Sequence, residues 1–362
     1  MARFRAAIVG TGRPRGQEGA TGAAISQYHV KAYLANDCDV VALADIRPEN
    51  AEAFRAEHGI PSAKIYADYQ QMLAEERPDI VSICTWPHLH APMAIAAAEA
   101  GIHAIYCEKP IAPTWGEAKR MHQVAVERGA MLCFNHQRRF EAPYVTTKQL
   151  IEQGAVGRVI QIQAACPNLY DWGTHWFDMC CFYNADVPPV WVMGQIDSRE
   201  GRAVFGVQME SQGISYFAFQ NGVRGMLITG DHLSEERSGP TGRRATLGAA
   251  QRIIGTEGVI EVAAPNSKVR LLNAQAAGWQ EVPLAPVASN ITEAVAAAIG
   301  DVLSCLETGR EPETSSHKAI RSSELIFGTY ESARRRARID LPLDLEDNPL
   351  HTMLERGELG VS

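Results

Sequence analysis

Three short stretches carry side chains whose types and spacing suit proton and hydride chemistry. "CEKP" sets Glu108 and Lys109 side by side, stiffened by Pro110, straight after the apolar run Ile102–Cys107. A lysine there is either a surface ion pair with Glu108, worth little, or a cation fixed at the end of a buried strand to meet a ligand. "YDWGTHWFDMCCFY" (170–183) repeats Trp172, Trp176, Met179 and Tyr183 at helical spacing, with Asp171 one turn before His175. Asp171 then reads as a helix cap with His175 on a polar face, or as a carboxylate orienting a general base. A helix N-terminus also disfavours an imidazolium, which keeps such a base neutral. The third stretch is "GTGRPRGQEGATG" (10–22), directly after an apolar strand.

Gly10 and Gly12 have the spacing that brings backbone close to a pyrophosphate, with Thr11 between them. A third small residue belongs at position 15, which is Arg15 after Pro14. Counting back from Asp45, the acid that ends the second strand, points to a helix starting near Ser26. Residues 13–23 then form an insertion, expected to fold over the cofactor with Arg13 among its contacts. Asp45 is expected to accept from the ribose hydroxyls and repel a 2′-phosphate, which favours NAD over NADP.

The elements that must hold these groups alternate in the first third of the chain. Strands are expected at 4–10, 39–45, 79–84, 102–108 and 130–134, with helical patterns between them. Thr114 and Glu117 have capping-box spacing, and Gly101 and Gly129 close helices. Strands apolar on both faces and separated by helices imply a doubly wound parallel sheet. Ligands bind beyond the carboxyl ends of such strands. Thr85, Trp86 and His90 of "TWPHLH", with Glu108 and Lys109, are therefore cofactor-side candidates. After about residue 135 strands dominate, and Asn221-Gly222 marks a hairpin. A second α+β domain with a large, mainly antiparallel sheet is expected over 135–362, with helices near 290–308 and 315–337. The dinucleotide-binding domain is assigned 1–134.

The totals narrow the classes. A chain of 362 residues suggests two domains. Its 42 acidic against 34 basic residues leave a net charge of −8, against a nucleic-acid face. The run Ala333–Arg338 reads as a solvated helix end. The eight cysteines form no CxxC and suit reduced thiols in a cytosol. His88, His90 and His136 make no metal-ligand pattern, so no metal is expected. With no apolar run of spanning length, a cytoplasmic protein without membrane contact is expected.

With these residues in view, the sequence resembles the Gfo/Idh/MocA oxidoreductases, named for glucose–fructose oxidoreductase and inositol dehydrogenase. The similarity is carried by "AIVGTG", "DIVSICTWPHLHAPMAIAAAEAGIHAIYCEKPIA", "NHQRRFEAPY", "DWGTHWFD" and "IIGTEGVIEV". The resemblance implies that His175 is the acid/base, supported by Asp171, and that Lys109 assists at the reacting hydroxyl. It implies homodimers or homotetramers through the second sheet. The expected activity is NAD-dependent oxidation of a secondary hydroxyl of a sugar, sugar derivative or cyclitol. Arg138, Asp171 and His175 would bind its hydroxyls, with Tyr170 or Trp172 stacking on a ring face. Two alternatives stand beside it: a redox-neutral glycosidase or lyase using transient oxidation, and a non-catalytic sugar or nucleotide sensor. "TWP" departs from the family's usual "TP" followed by Asn.

Overall fold

The run Ala6–Val9 and the run Ile80–Ile83, apolar except for Ser82, are strands buried on both faces, and they form the middle of a parallel sheet. The structure is a computed structural model describing residues 4–12, 25–198, 201–230, 251–263, 268–275 and 277–359. The expected insertion contact of Arg13 and the polar stretch at 231–250 lie outside these residues.

The first half runs β1 (Arg5–Val9), α1 (Ser26–Ala35), β2 (Asp39–Ala44), α2 (Pro48–Glu57), β3 (Lys64–Tyr66), α3 (Tyr69–Glu76), β4 (Ile80–Ile83), α4 (Pro87–Glu99), β5 (Ala104–Cys107), α5 (Trp115–Arg128) and β6 (Met131–Phe134). Among the described residues these strands form a six-stranded sheet ordered β3-β2-β1-β4-β5-β6, every pair parallel. The order reverses at β1/β4, where doubly wound sheets bind their ligands. The late helix start expected from the Asp45 count is observed, with α1 opening at Ser26.

The second half contains α6 (Ala142–Glu152), β7 (Val159–Cys166), α7 (Trp172–Tyr183), β8 (Pro189–Asp197), β9 (Ala203–Val204), β10 (Val207–Gln208), β11 (Gln212–Phe219), β12 (Arg224–Gly230), β13 (Gln251–Gly255), β14 (Gly258–Ala263), β15 (Lys268–Asn273), β16 (Gln280–Val282), α8 (Ile291–Thr308), α9 (Ser316–Arg335), β17 (Ile339–Asp340) and α10 (Pro349–Glu355). Its main described sheet is ordered β16-β15-β14-β13-β7-β12-β11-β8-β17. Pairing is antiparallel except between β7 and β12. The Asn221-Gly222 turn joins β11 to β12, with Gly222 at φ +88°.

The chain divides by contact into two compact units, and the division does not follow sequence order. One comprises Met1–Ala112, Glu117–Phe140 and Ala288–Ala319; the other comprises Pro113–Gly116, Glu141–Val287 and Ile320–Ser362. The boundary expected at 134/135 thus differs from the observed division in one large respect: α8 packs with the nucleotide-type unit. Val295, Ala298, Ile299, Val302 and Leu303 join its core beside Val30 and Tyr33 of α1. Burying that apolar stripe against α1 is what brings the segment back.

In the second unit α7 and α9 cover one face of the sheet. Phe177 meets Phe217 at 5.4 Å, Ser215 bonds Thr329 at 2.8 Å, and the Gly194 N–H donates to Ser332 Oγ at 2.8 Å. The opposite face carries Met193, Tyr216 and Met226 in one cross-strand row and Ile214 beside Ile228 in the next. Met193 is 47% and Ile214 43% exposed. The basic run at the end of α9 is tied down locally: Arg334 bonds Glu331 and Asp347, and Arg338 bonds Asp340.

Candidate functional site

The glycine turn follows β1 directly. Gly10 has φ +86° and Gly12 φ +72°, a region that favours glycine. A Cβ on Gly10 would stand 2.7 Å from the Cys84 carbonyl oxygen, so close packing against the end of β4 also demands glycine. Thr11 is buried, and both its N–H and its hydroxyl donate to Asp45 Oδ2, at 3.0 and 2.8 Å. Asp45 Oδ1 accepts from the Arg47 N–H at 3.0 Å and the Asn50 amide at 3.4 Å. Ser26 Oγ donates to the Thr11 carbonyl at 3.1 Å, fastening the start of α1 to the turn. Asp45 therefore braces the turn, a role beyond the ribose acceptor expected of it. Both its oxygens already accept two donors, and its negative charge stays at the edge of the sheet.

Beyond β4 and β5 the candidates divide into presented and buried groups. Trp86 is 49% exposed, with its ring edge-on to His88 at 6.0 Å. The Thr85 hydroxyl points to Met93 Sδ at 3.5 Å. Lys109 is half-buried. His90, expected on the cofactor side, is fully buried: Nδ1 lies 2.9 Å from the Pro110 oxygen and 3.2 Å from that of Ile111, and Nε2 lies 3.1 Å from the Thr85 oxygen. Burial lowers its pKa, against the pull of these carbonyls and of Glu108. His90 joins the two loops as a clamp and presents no ring edge to a ligand.

Glu108 is likewise buried. Its Oε1 lies 2.8 Å from His29 Nε2 and accepts from the Asn135 amide at 2.7 Å. His29 Nδ1 lies 2.8 Å from Ser82 Oγ, which lies 2.6 Å from the Tyr33 hydroxyl. The Tyr106 hydroxyl donates to Asn135 Oδ1 at 3.0 Å. Burial alone would raise the Glu108 carboxyl; the His29 bond, the Lys109 charge and the Asn135 amide outweigh it and hold the pKa below the ordinary value. Sequence reading missed His29, Ser82 and Asn135, since they come from α1, β4 and the end of β6 and meet only in the fold.

The second unit positions Asp171 and His175 on α7. Asp171 occupies the cap position, but its side chain makes no capping bond. Asn168 supplies the cap: its Oδ1 accepts from the N–H of Asp171 at 2.7 Å and of Trp172 at 3.2 Å. The expectation of an Asp171 cap is corrected accordingly. Asp171 and His175 stand one turn apart on one helix face, and His175 is buried to 5% exposure. The preceding turn is held by Glu210, which accepts from the Leu169 N–H, the Thr229 hydroxyl at 3.2 Å and the Tyr330 hydroxyl at 2.6 Å. Burial raises the Glu210 pKa despite these donors. Tyr170, expected to stack on a substrate ring, is 1% exposed and belongs to the core. Trp172 is half-buried, with its ring 6.1 Å from Trp176. Arg138 sits half-buried in the 3₁₀ turn Gln137–Phe140, beside Arg139, which bonds Glu313 at 3.0 Å. Among the described residues no three His, Cys, Asp or Glu gather as a metal site, and no helix is long and apolar enough to cross a membrane.

Residues 4–136 match the family model described as "Oxidoreductase family, NAD-binding Rossmann fold". Over these residues the chain is similar to the Gfo/Idh/MocA oxidoreductases. The six-stranded parallel sheet of the first unit and the turn Gly10–Gly12 both lie within this match. An uncharacterized oxidoreductase from Schizosaccharomyces pombe is 30% identical over 197 residues, 49% of this chain and 51% of that protein. The match thus spans about half the length of that relative. D-apiose dehydrogenase from Paraburkholderia graminis is 25% identical over 94% of this chain and 90% of its own. A solved levoglucosan dehydrogenase, in complex with NADH and levoglucosan, shares the fold at a TM-score of 0.77 and 21% identity, over 94% of this chain and 100% of its own.

Proposed function

We propose that this chain is an NAD-dependent dehydrogenase acting on a secondary hydroxyl of a sugar, sugar derivative or cyclitol. The observation that carries the reading is Lys109, half-buried after β5 on the same carboxyl edge of the sheet as the braced glycine turn. Gly10 and Gly12 fit the close approach of a pyrophosphate, and Trp86 offers a ring face at that edge. The Asp45 charge disfavours a 2′-phosphate, which supports NAD over NADP. NAD, when bound, accepts the carbinol hydride. His175 takes the hydroxyl proton, a role supported by its place in the first turn of α7 and by Asp171 one turn before it, since Asn168 does the capping. Lys109 steadies the charge that develops on the oxygen. Arg138 and Trp172 contact the substrate in this reading. The D-apiose dehydrogenase likeness supports a carbohydrate as its class.

The apolar rows of Met193, Tyr216, Met226 and Ile214, with Met193 and Ile214 exposed, support assembly into dimers or tetramers through that sheet face, and the eight free thiols support a reducing, cytoplasmic setting. Screening pyranoses, furanoses and cyclitols with NAD and following NADH absorbance tests the activity. Net NADH with one of them is the expected result. Substrate conversion without NADH accumulation would point to redox-neutral chemistry instead, and NAD binding without any turnover to a sensor.

A further inference from the structure

The buried polar chain in the first unit links six side chains from three strands or strand ends and one helix. Tyr33, Ser82, His29, Glu108, Asn135 and Tyr106 are each 5% exposed or less. In the arrangement that uses every donor, the Tyr33 hydroxyl donates to Ser82, Ser82 donates to His29 Nδ1, and His29 Nε2–H donates to Glu108 Oε1. The sequence Ser–His–Glu has the order of a hydrolytic triad, yet Tyr33 occupies the serine oxygen and the site is closed to solvent, so no nucleophile is presented. Networks of this kind are costly to half-satisfy and hold a single geometry when complete. The chain ends on the residue next to Lys109, and Glu108 Oε2 accepts the Lys109 N–H at 3.3 Å.

We propose that this network is the positioning device for Lys109, with His29 the residue that keeps the Glu108 carboxylate charged and fixed beside it. The inference rests on reading Lys109 as the group that steadies the reacting oxygen. A buried carboxylate stripped of its donors takes up a proton and loses its charge. The neighbouring ammonium then loses both its counter-charge and its anchored backbone. A network serving stability alone would lower the melting temperature without changing the chemistry of one lysine.

Variants separate the two. Glutamine reaches the place of a histidine Nε2, so His29→Gln keeps a donor to Glu108. Asparagine reaches only the place of Nδ1, so His29→Asn loses it. Glu108→Gln keeps the shape and removes the charge. Competitive acylation of the full chain with trace acetic anhydride at one fixed pH, read lysine by lysine by peptide mass spectrometry, reports Lys109 against the other lysines as internal standards. Losing the attraction of the carboxylate lets the Lys109 ammonium leave its half-buried place for solvent, where the reagent reaches it. Lys109 labelling should therefore rise at least about fivefold in Glu108→Gln and His29→Asn, the release expected when an attraction of about 1 kcal/mol is lost. His29→Gln should stay within about twofold of the wild type on the same scale. Unchanged labelling in folded Glu108→Gln, or identical behaviour of His29→Gln and His29→Asn, overturns the proposal. Should His29→Asn fail to fold, the isosteric Glu108→Gln decides it. The labelling needs neither substrate nor NAD, so a failed dehydrogenase screen would refute the proposed function and leave this result readable.

Discussion

Replacing Asp45 by alanine should damage the nucleotide turn before any nucleotide is present. Thr11 is 2% exposed, and its N–H and hydroxyl both depend on Asp45 Oδ2. Each buried donor left unmade costs about 1–3 kcal/mol. Asp45 itself is half-buried, so water recovers part of this and the lower end applies, for a total of about 2 kcal/mol. For a unit of this size that lowers the melting temperature by about 4–8 °C. Thr11→Val removes only the hydroxyl and should cost about 1 kcal/mol. In a double-mutant cycle the pair should couple by about 1 kcal/mol, since the hydroxyl has nothing left to lose once Asp45 is gone. Thermal unfolding of the apo protein gives the stabilities, and calorimetric titration gives NAD affinity. Thr11→Val should weaken NAD binding about fivefold, the equivalent of about 1 kcal/mol, by loosening the turn. An Asp45→Ala protein with unchanged melting temperature and weaker NAD binding would show that Asp45 acts on the ribose alone and would refute the brace.

Two further outcomes follow from the second unit. Burial raises the Glu210 pKa in the folded state, so this group favours folding below its ordinary carboxylate range and that contribution is lost as pH rises through the folded value. Glu210→Gln keeps an acceptor for the Leu169 N–H and should flatten the fall in melting temperature on going from acid to neutral pH; parallel curves for both proteins would exclude Glu210 as the cause. Asn168→Ala removes both capping bonds to α7 and should cost about 0.5–2 kcal/mol in urea unfolding. An unchanged midpoint would return the cap to Asp171.

What was legible in the sequence was what depends on neighbours along the chain. The β1 run, the Gly10–Gly12 turn, the delayed start of α1 at Ser26 and the Asn221-Gly222 hairpin are local patterns, and each appears where its spacing places it. Asp45 was recognisable as the acid closing β2, but not as the brace of Thr11, since that contact joins the ends of two strands. Residues whose partners lie far along the chain were hidden. His29 reads as one of several polar residues in α1, beside Gln27 and Lys31, and only the parallel order β1-β4-β5-β6 brings Ser82, Glu108 and Asn135 to it. The return of α8 to the first unit was hidden for the same reason: its stripe announces burial and not the face it is buried against. Asn168 was overlooked because Asp171 occupies the position where a cap is sought, while the acceptor comes from three residues before it.

Single-turnover kinetics on wild-type and His175→Ala protein, started by mixing the NAD complex with a sugar that the wild type oxidises, test the proposed chemistry most directly. With His175 as the base, hydride transfer in the variant should slow by about 10²–10⁴-fold. NAD affinity should hold within about twofold, since no step of binding uses the imidazole. A slowing of less than about tenfold, with NAD binding intact, would remove His175 from proton transfer and contradict the mechanism.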